Sequence, residues 1–197
     1  MSIKDHFSRQ SAAYSRYRPG YPPELIDWVA SQAPDRCRAV DCATGNGQAA
    51  LALAGRFETV VALDGSHDQL RNAPGGVVAV WTYEKFRVDD AVDGVIDAFY
   101  ENVVGAWWPP ERRYVELGYR TLPFPWREAA APAFAHETEW DLDQVVGYLG
   151  SWSSVQRYKD RHGRDPLPDL RGPLESVWGG SGRRRLRWPI HMRIGFA

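Results

Sequence analysis

Apolar and polar positions change their period several times along this chain. Two short apolar runs, Ala39-Val40 and Val60-Val61-Ala62-Leu63, each end in an acid, Asp41 and Asp64. Short apolar runs bounded by turn residues predict buried strands. Between them Gln48 to Ala54 is rich in strong helix formers and predicts a helix. Upstream, residues 4–17 read as a polar helix or lid and Arg18 to Pro23 as a proline-rich turn. Pro22-Pro23-Glu24 opens a helix through Ser31, with proline in the first turn where its missing N–H costs nothing. A further helix is expected over Ser66 to Ala73, then a strand over Val77 to Tyr83. Val92, Val95, Ile96, Phe99, Tyr100 and Val103 recur at a helical period across Asp90 to Val104. Trp107 to Pro125 reads as an irregular connection and Phe134 to Trp140 as a strand. Leu142 to Tyr158 reads as one helix capped by Asp141, and Arg185 to Phe196 as a closing strand.

The first strand, the loop Cys42-Ala43-Thr44-Gly45-Asn46-Gly47 and the helix after it predict a cofactor cradle. Gly45 and Gly47 open backbone conformations closed to other residues and let a ligand approach the main chain. The helix start beyond them offers unpaired N–H groups. An acid at the end of the second strand, here Asp64, commonly holds ribose hydroxyls in such folds. Gly45 to Ala50 also satisfies the dinucleotide fingerprint, with Asp64 19 residues on from Gly45. Asp41 separates the two ligands. An acid directly before the loop repels a pyrophosphate, whereas it attracts the sulfonium and ammonium groups of S-adenosylmethionine. A glycine-tuned turn with no ligand is the bland alternative.

Arg38 to Ala50 resembles motif I of class I S-adenosylmethionine-dependent methyltransferases, and Asp64-Gly65-Ser66 resembles their ribose-binding motif II. Phe7-Ser8 through Tyr14 and Arg16 to Pro22 are similar to the N-terminal segment of the subfamily related to trans-aconitate methyltransferase. Pro74 to Trp81, Trp108-Pro109-Pro110-Glu111-Arg112 and Trp152 to Tyr158 extend that likeness in family order. One departure is Ala43, where the family usually carries glycine. The resemblance implies S-adenosyl-L-methionine as cofactor. It assigns the cofactor contacts to Asp41, Ala43, Thr44, Gly45, Asn46, Gly47, Asp64, Gly65 and Ser66, with Tyr14 and Arg18 in a lid. Trp81, Tyr83, Trp152 and Gln156 are the candidate substrate wall, although ordinary core packing explains each aromatic as well. No catalytic residue is singled out: proximity and orientation supply most of a methyl transfer, and a carboxylate acceptor needs no base.

After the motif II helix the chain runs directly into Pro74-Gly75-Gly76, which opens the fifth strand in the family. The third and fourth strands and their helices have no counterpart, a loss of about 50 residues on the usual size of a βαβ unit. The expected fold is therefore α/β: a Rossmann-like methyltransferase sheet with helices on both faces, shortened by about two strand–helix units. The first strand then lacks a neighbour. Val77 to Trp81 is expected to slide into the vacant slot, or a second copy to cover the edge.

A chain of 197 residues with 44% hydrophobic and 25% charged residues suits one soluble domain. Residues 1–36 would form the lid and first helix, 37–83 the cofactor core, and 84–197 the half carrying the substrate-side cap. The net charge of −1 implies no general affinity for polyanions. The arginines at 183, 184, 185 and 187 read as a solvated turn, and Cys37 and Cys42 as small buried residues without metal spacing. No apolar run reaches a membrane span, and the first nine residues lack a secretory core, so the cytoplasm is the expected location. The five histidines read as surface or satisfied core residues. The expected partners are a small-molecule acceptor and a second copy of the chain, with no nucleic acid, membrane or metal. Three functions follow: methyl transfer, a catalytically impaired remnant serving as a binding module, and a dinucleotide oxidoreductase.

Overall fold

A computed structural model describes residues 19–42, 44, 47–63 and 76–196. The chain forms two compact units, which share the long last strand.

One unit comprises residues 19–84, 114–136 and 189–197. Helix α1 (Pro23–Gln32) starts on proline as expected and buries Leu25, Ile26 and Ala30. Strand β1 (Arg38–Cys42), helix α2 (Gln48–Ala54) and strand β2 (Thr59–Leu63) follow. β1 and β2 pair in parallel, Arg38 opposite Thr59 through Cys42 opposite Leu63. The expected helix over 66–73 lies outside the described residues. Strand β3 (Val77–Tyr83) does not occupy the slot beside β1. It pairs antiparallel with the closing strand, Val77 opposite Phe196 and Tyr83 opposite Ile190. Seven consecutive pairs in that ladder satisfy backbone groups that a single slot beside the five-residue β1 could not.

The other unit contains 85–113 and 137–188. Helix α3 (Asp90–Ala98) continues into a π-helical turn, Phe99–Val103, so helix covers the expected stretch. Asp89 caps it, accepting from the Val92 N–H at 3.0 Å. The 107–125 connection is not wholly irregular, since helix α4 (Arg112–Glu116) forms within it; β4 (Arg127–Ala129), which belongs to the first unit, pairs with the closing strand, as does β5 (Phe134–Trp140).

The expected helix over 142–158 is two helices, α5 (Leu142–Gly150) and α6 (Ser153–His162). They break where the Ser151 hydroxyl donates to the Tyr148 carbonyl at 2.7 Å, a local bond that competes with the helix ladder. Asp141 closes a capping box with Gln144. Helix α7 (Leu167–Trp178) forms despite Pro173 because Leu170, Leu174 and Trp178 bury one face at a spacing of four residues. The last strand, β6 (Arg184–Phe196), carries Trp188, fully buried against Phe86, Trp140 and Tyr148 with ring centroids 4.9–5.7 Å away.

The arginines before and within β6 do not make a solvated turn. Arg184 pairs with Asp89, Arg185 and Arg187 with Glu137, and Arg183 donates to the Glu139 carbonyl. Cys37 is exposed and Cys42 half-buried, so neither is the buried small residue expected. Among the described residues no helix is long and apolar enough to cross a membrane.

Candidate functional site

The parallel register of β1 and β2 brings their carboxyl ends to one edge, with Asp41 opposite Ala62. Ligands in open α/β sheets bind outside such an edge. Past β1 the Thr44 hydroxyl donates to Asp41 Oδ2 at 2.7 Å. The turn closes through the Gly47 N–H onto the Thr44 carbonyl at 2.8 Å. Gly47 caps α2 in the left-handed conformation, φ 80°, which an L-residue adopts only under strain. No side chain caps α2, so its first N–H groups face the loop without a side-chain acceptor. Among the described residues a Cβ at Gly47 would meet nothing within 4 Å.

These features fit a cationic amino-acid end better than a phosphate. The carboxylate is fixed by a neighbouring hydroxyl, and the backbone beside it carries no side chain. Tyr14, Arg18, Ala43, Gly45, Asn46, Asp64, Gly65 and Ser66 lie outside the described residues.

Alternation along β3 sends Trp81 and Tyr83 to one face. Both meet the ring of Tyr21, at 5.6 and 6.4 Å between centroids. They join the core built on Leu25, Ile26, Leu53 and Ile190. Trp152 and Gln156 belong to the other unit. Trp152 is 3% exposed and packs on Tyr100, Trp108 and Tyr148. The Gln156 side-chain amide donates to the Gly150 carbonyl at 2.8 Å, bridging the break between α5 and α6.

Sequence reasoning did not find the pairing of His191 with Glu84, which joins residues 107 positions apart. It also missed the turn at Gly118 and Tyr119, both at positive φ. The first is long-range and has no local signal; the second is a helix end closed by the Gly118 N–H onto the Val115 carbonyl and the Tyr119 N–H onto the Tyr114 carbonyl, and Gly118 itself was its signal. Among the described residues no cluster of metal-ligating side chains occurs.

No protein-family profile matches the chain. A solved structure from Anaeromyxobacter dehalogenans, described as "a Putative Type II Methyltransferase", is 36% identical, with a TM-score of 0.82 over 91% of this chain and 98% of that one. A Dictyostelium discoideum "putative methyltransferase" is 21% identical over 245 residues, covering 95% of this chain and 93% of that protein. An "uncharacterized methyltransferase" of Mycobacterium tuberculosis is 39% identical over 122 residues. That match takes in 59% of this chain and 47% of the mycobacterial protein, so the chain spans about half of that relative's length. The Anaeromyxobacter likeness covers nearly all of both chains. The chain belongs to the methyltransferase family and has its α/β, Rossmann-like fold.

Proposed function

We propose that this chain transfers a methyl group from S-adenosyl-L-methionine to a small-molecule acceptor. The observation that carries the reading is the Asp41–Thr44–Gly47 turn at the carboxyl edge of two parallel strands. The cofactor, when bound, supplies an electrophilic methyl group on a sulfonium. Asp41 offers negative charge to the cationic end of such a ligand, and Thr44 fixes its orientation. Gly47 lets the ligand approach the main chain. The same Asp41 charge opposes a dinucleotide pyrophosphate, which disfavours the oxidoreductase. The acceptor class we favour is a carboxylate, as the resemblance to the trans-aconitate subfamily suggests; it needs cationic or hydrogen-bonding partners and no base.

The chain is further proposed to be an internally shortened member of its family. The Dictyostelium alignment supports this: 245 positions take in only 95% of a 197-residue chain, so dozens of positions have no counterpart here. The sheet pattern supports it too. Among the described residues β1 pairs with β2 alone and β3 with β6 alone.

That pattern also favours the second reading, an impaired remnant acting as a binding module, because Val40 on β1 is left 38% exposed. A homodimer through this edge would cover it. The location proposed is the cytoplasm. The test of function is formation of S-adenosylhomocysteine from S-adenosylmethionine with a panel of small carboxylic acids. Acceptor-dependent product supports the transferase; none, from a chain that binds the cofactor, supports the remnant.

A further inference from the structure

Helix α6 begins inside its unit. Trp152, the residue before it, is buried, and so are Ser154 and Val155 in its first turn, while Ser153 between them is exposed. The start of the helix therefore lies one residue beneath the surface. No side chain caps it, so its first N–H groups have no side-chain acceptor. The Gln156 amide donates to the Gly150 carbonyl and so adds a donor rather than an acceptor nearby. Such an end carries positive partial charge that no side chain answers.

Two buried donors of this region have no partner among the described residues. One is the Ser154 hydroxyl. Helical Cα–Cβ bonds tilt towards the N-terminus, so Ser154, second in α6, leans its hydroxyl over the first turn. The other is Trp108 Nε1–H. The Trp108 ring packs 5.5 Å from that of Trp152 and 5.0 Å from that of Tyr100, and those two rings are themselves 5.5 Å apart. The Arg112 guanidinium lies over the Trp108 ring at 4.6 Å, and its Nε donates to the Tyr100 hydroxyl at 2.8 Å. Tyr100 stands in the π-helical turn Phe99–Val103, a rare form of helix that recurs at functional sites.

Ser151, three residues before Ser154, bonds its hydroxyl to the Tyr148 carbonyl. Ser154 makes no such bond, although a buried hydroxyl left unpaired carries the whole cost of its desolvation. Alanine would fill the same place without that cost, and phenylalanine would do so at Trp108. Both residues are poorer choices for stability than their apolar substitutes, a pattern expected where stability is given up for binding.

We propose that the start of α6 binds a carboxylate group, held by the Ser154 hydroxyl, the Trp108 indole N–H and the first backbone N–H groups of the helix. These donors are neutral, which suits one negative charge shared by two oxygens better than a phosphate dianion. The positive end of the helix favours that charge, and the rings of Tyr100, Trp108 and Trp152 give it apolar surroundings in which each bond is stronger than in water. Both unpaired atoms are closed off without a ligand. Entry therefore requires the turn Gly105–Trp107, which packs on α6, to lift together with Trp108. All of these residues belong to one unit, and the proposal does not rest on the methyl-transfer reading.

The test is titration of the full chain with sodium acetate and, separately, sodium phosphate, read from the indole N–H signals in proton–nitrogen correlation spectra. Trp108→Phe identifies the Trp108 signal by its loss. That signal is expected to move downfield and saturate with acetate, and to stay in place with phosphate. Ser154→Ala is expected to weaken acetate binding about tenfold or more. Because it removes an unpaired hydroxyl, it should also raise the midpoint of thermal unfolding, by about 2–4 °C. A hydroxyl with a purely structural role would move that midpoint the other way. The proposal is overturned by no saturable shift with acetate, by phosphate saturating as well as acetate, or by a Ser154→Ala chain that binds acetate undiminished or unfolds at a lower temperature than the native one.

Discussion

The Thr44 hydroxyl donates to the Asp41 carboxylate at 2.7 Å. This bond joins the last turn of a strand to the loop that leads into α2, and it orients the one charge that separates two kinds of nucleotide ligand. An acid in this place opposes a pyrophosphate and attracts an ammonium or sulfonium. The glycine turn is compatible with both ligands, so the acid and its partner carry the distinction.

Gly47→Ala tests the turn. Among the described residues nothing stands within 4 Å of the new methyl group, so the effect expected is that of φ 80°. The left-handed penalty for an L-residue is about 1–2 kcal/mol. The variant is expected to lose about that much stability in denaturant unfolding and to bind S-adenosylhomocysteine more weakly.

Trp188→Ala tests the aromatic core. Trp188 is fully buried among Phe86, Trp140 and Tyr148. Truncation of such a residue costs about 3–5 kcal/mol. That is a large part of the about 5–15 kcal/mol that holds a typical domain together. The midpoint of thermal unfolding should fall steeply, or the chain should fail to accumulate in soluble form.

Asp89 predicts an acid-side loss of stability. The Val92 N–H above all, and the Arg184 guanidinium, hold its carboxyl below the usual range. A depressed folded value means that the contribution is present above the unfolded value near about 4 and is lost as pH falls through the folded one. Asp89→Ala should be less stable than the native chain at neutral pH. The gap should close on acidification, as read from denaturant midpoints at about pH 7 and about pH 3.

Val40→Lys tests self-pairing through β1. Val40 is 38% exposed, and lysine on an edge strand discourages pairing with another chain. Sedimentation is expected to show a dimer for the native chain and a monomer for the variant. A native monomer contradicts self-pairing.

Much of the first unit was legible because its signals are local. The β1–α2–β2 run, the start of α1, and the bounds of β3 and β5 followed from short apolar runs, proline placement and glycine loops. Helix α7, for which no element was expected, contains Gly172 and Pro173, and the burial of Leu170, Leu174 and Trp178 that holds it is tertiary. The break at Ser151 was hidden for the converse reason: one hydroxyl bond interrupts an unbroken apolar period. The arginines of β6 looked like a solvated run because their partners Asp89 and Glu137 lie far away in sequence. The placement of β3 beside β6 depends on pairing between segments far apart in the chain, which no window of sequence contains.

The most direct test of the central claim is calorimetric titration of the purified chain with S-adenosylmethionine and S-adenosylhomocysteine, with Asp41→Ala and Asp64→Ala as controls. The account predicts saturable binding at one site, lost in both variants while their cooperative unfolding is retained. A native chain that unfolds cooperatively yet binds neither compound would contradict it, and would leave a methyltransferase fold without its cofactor.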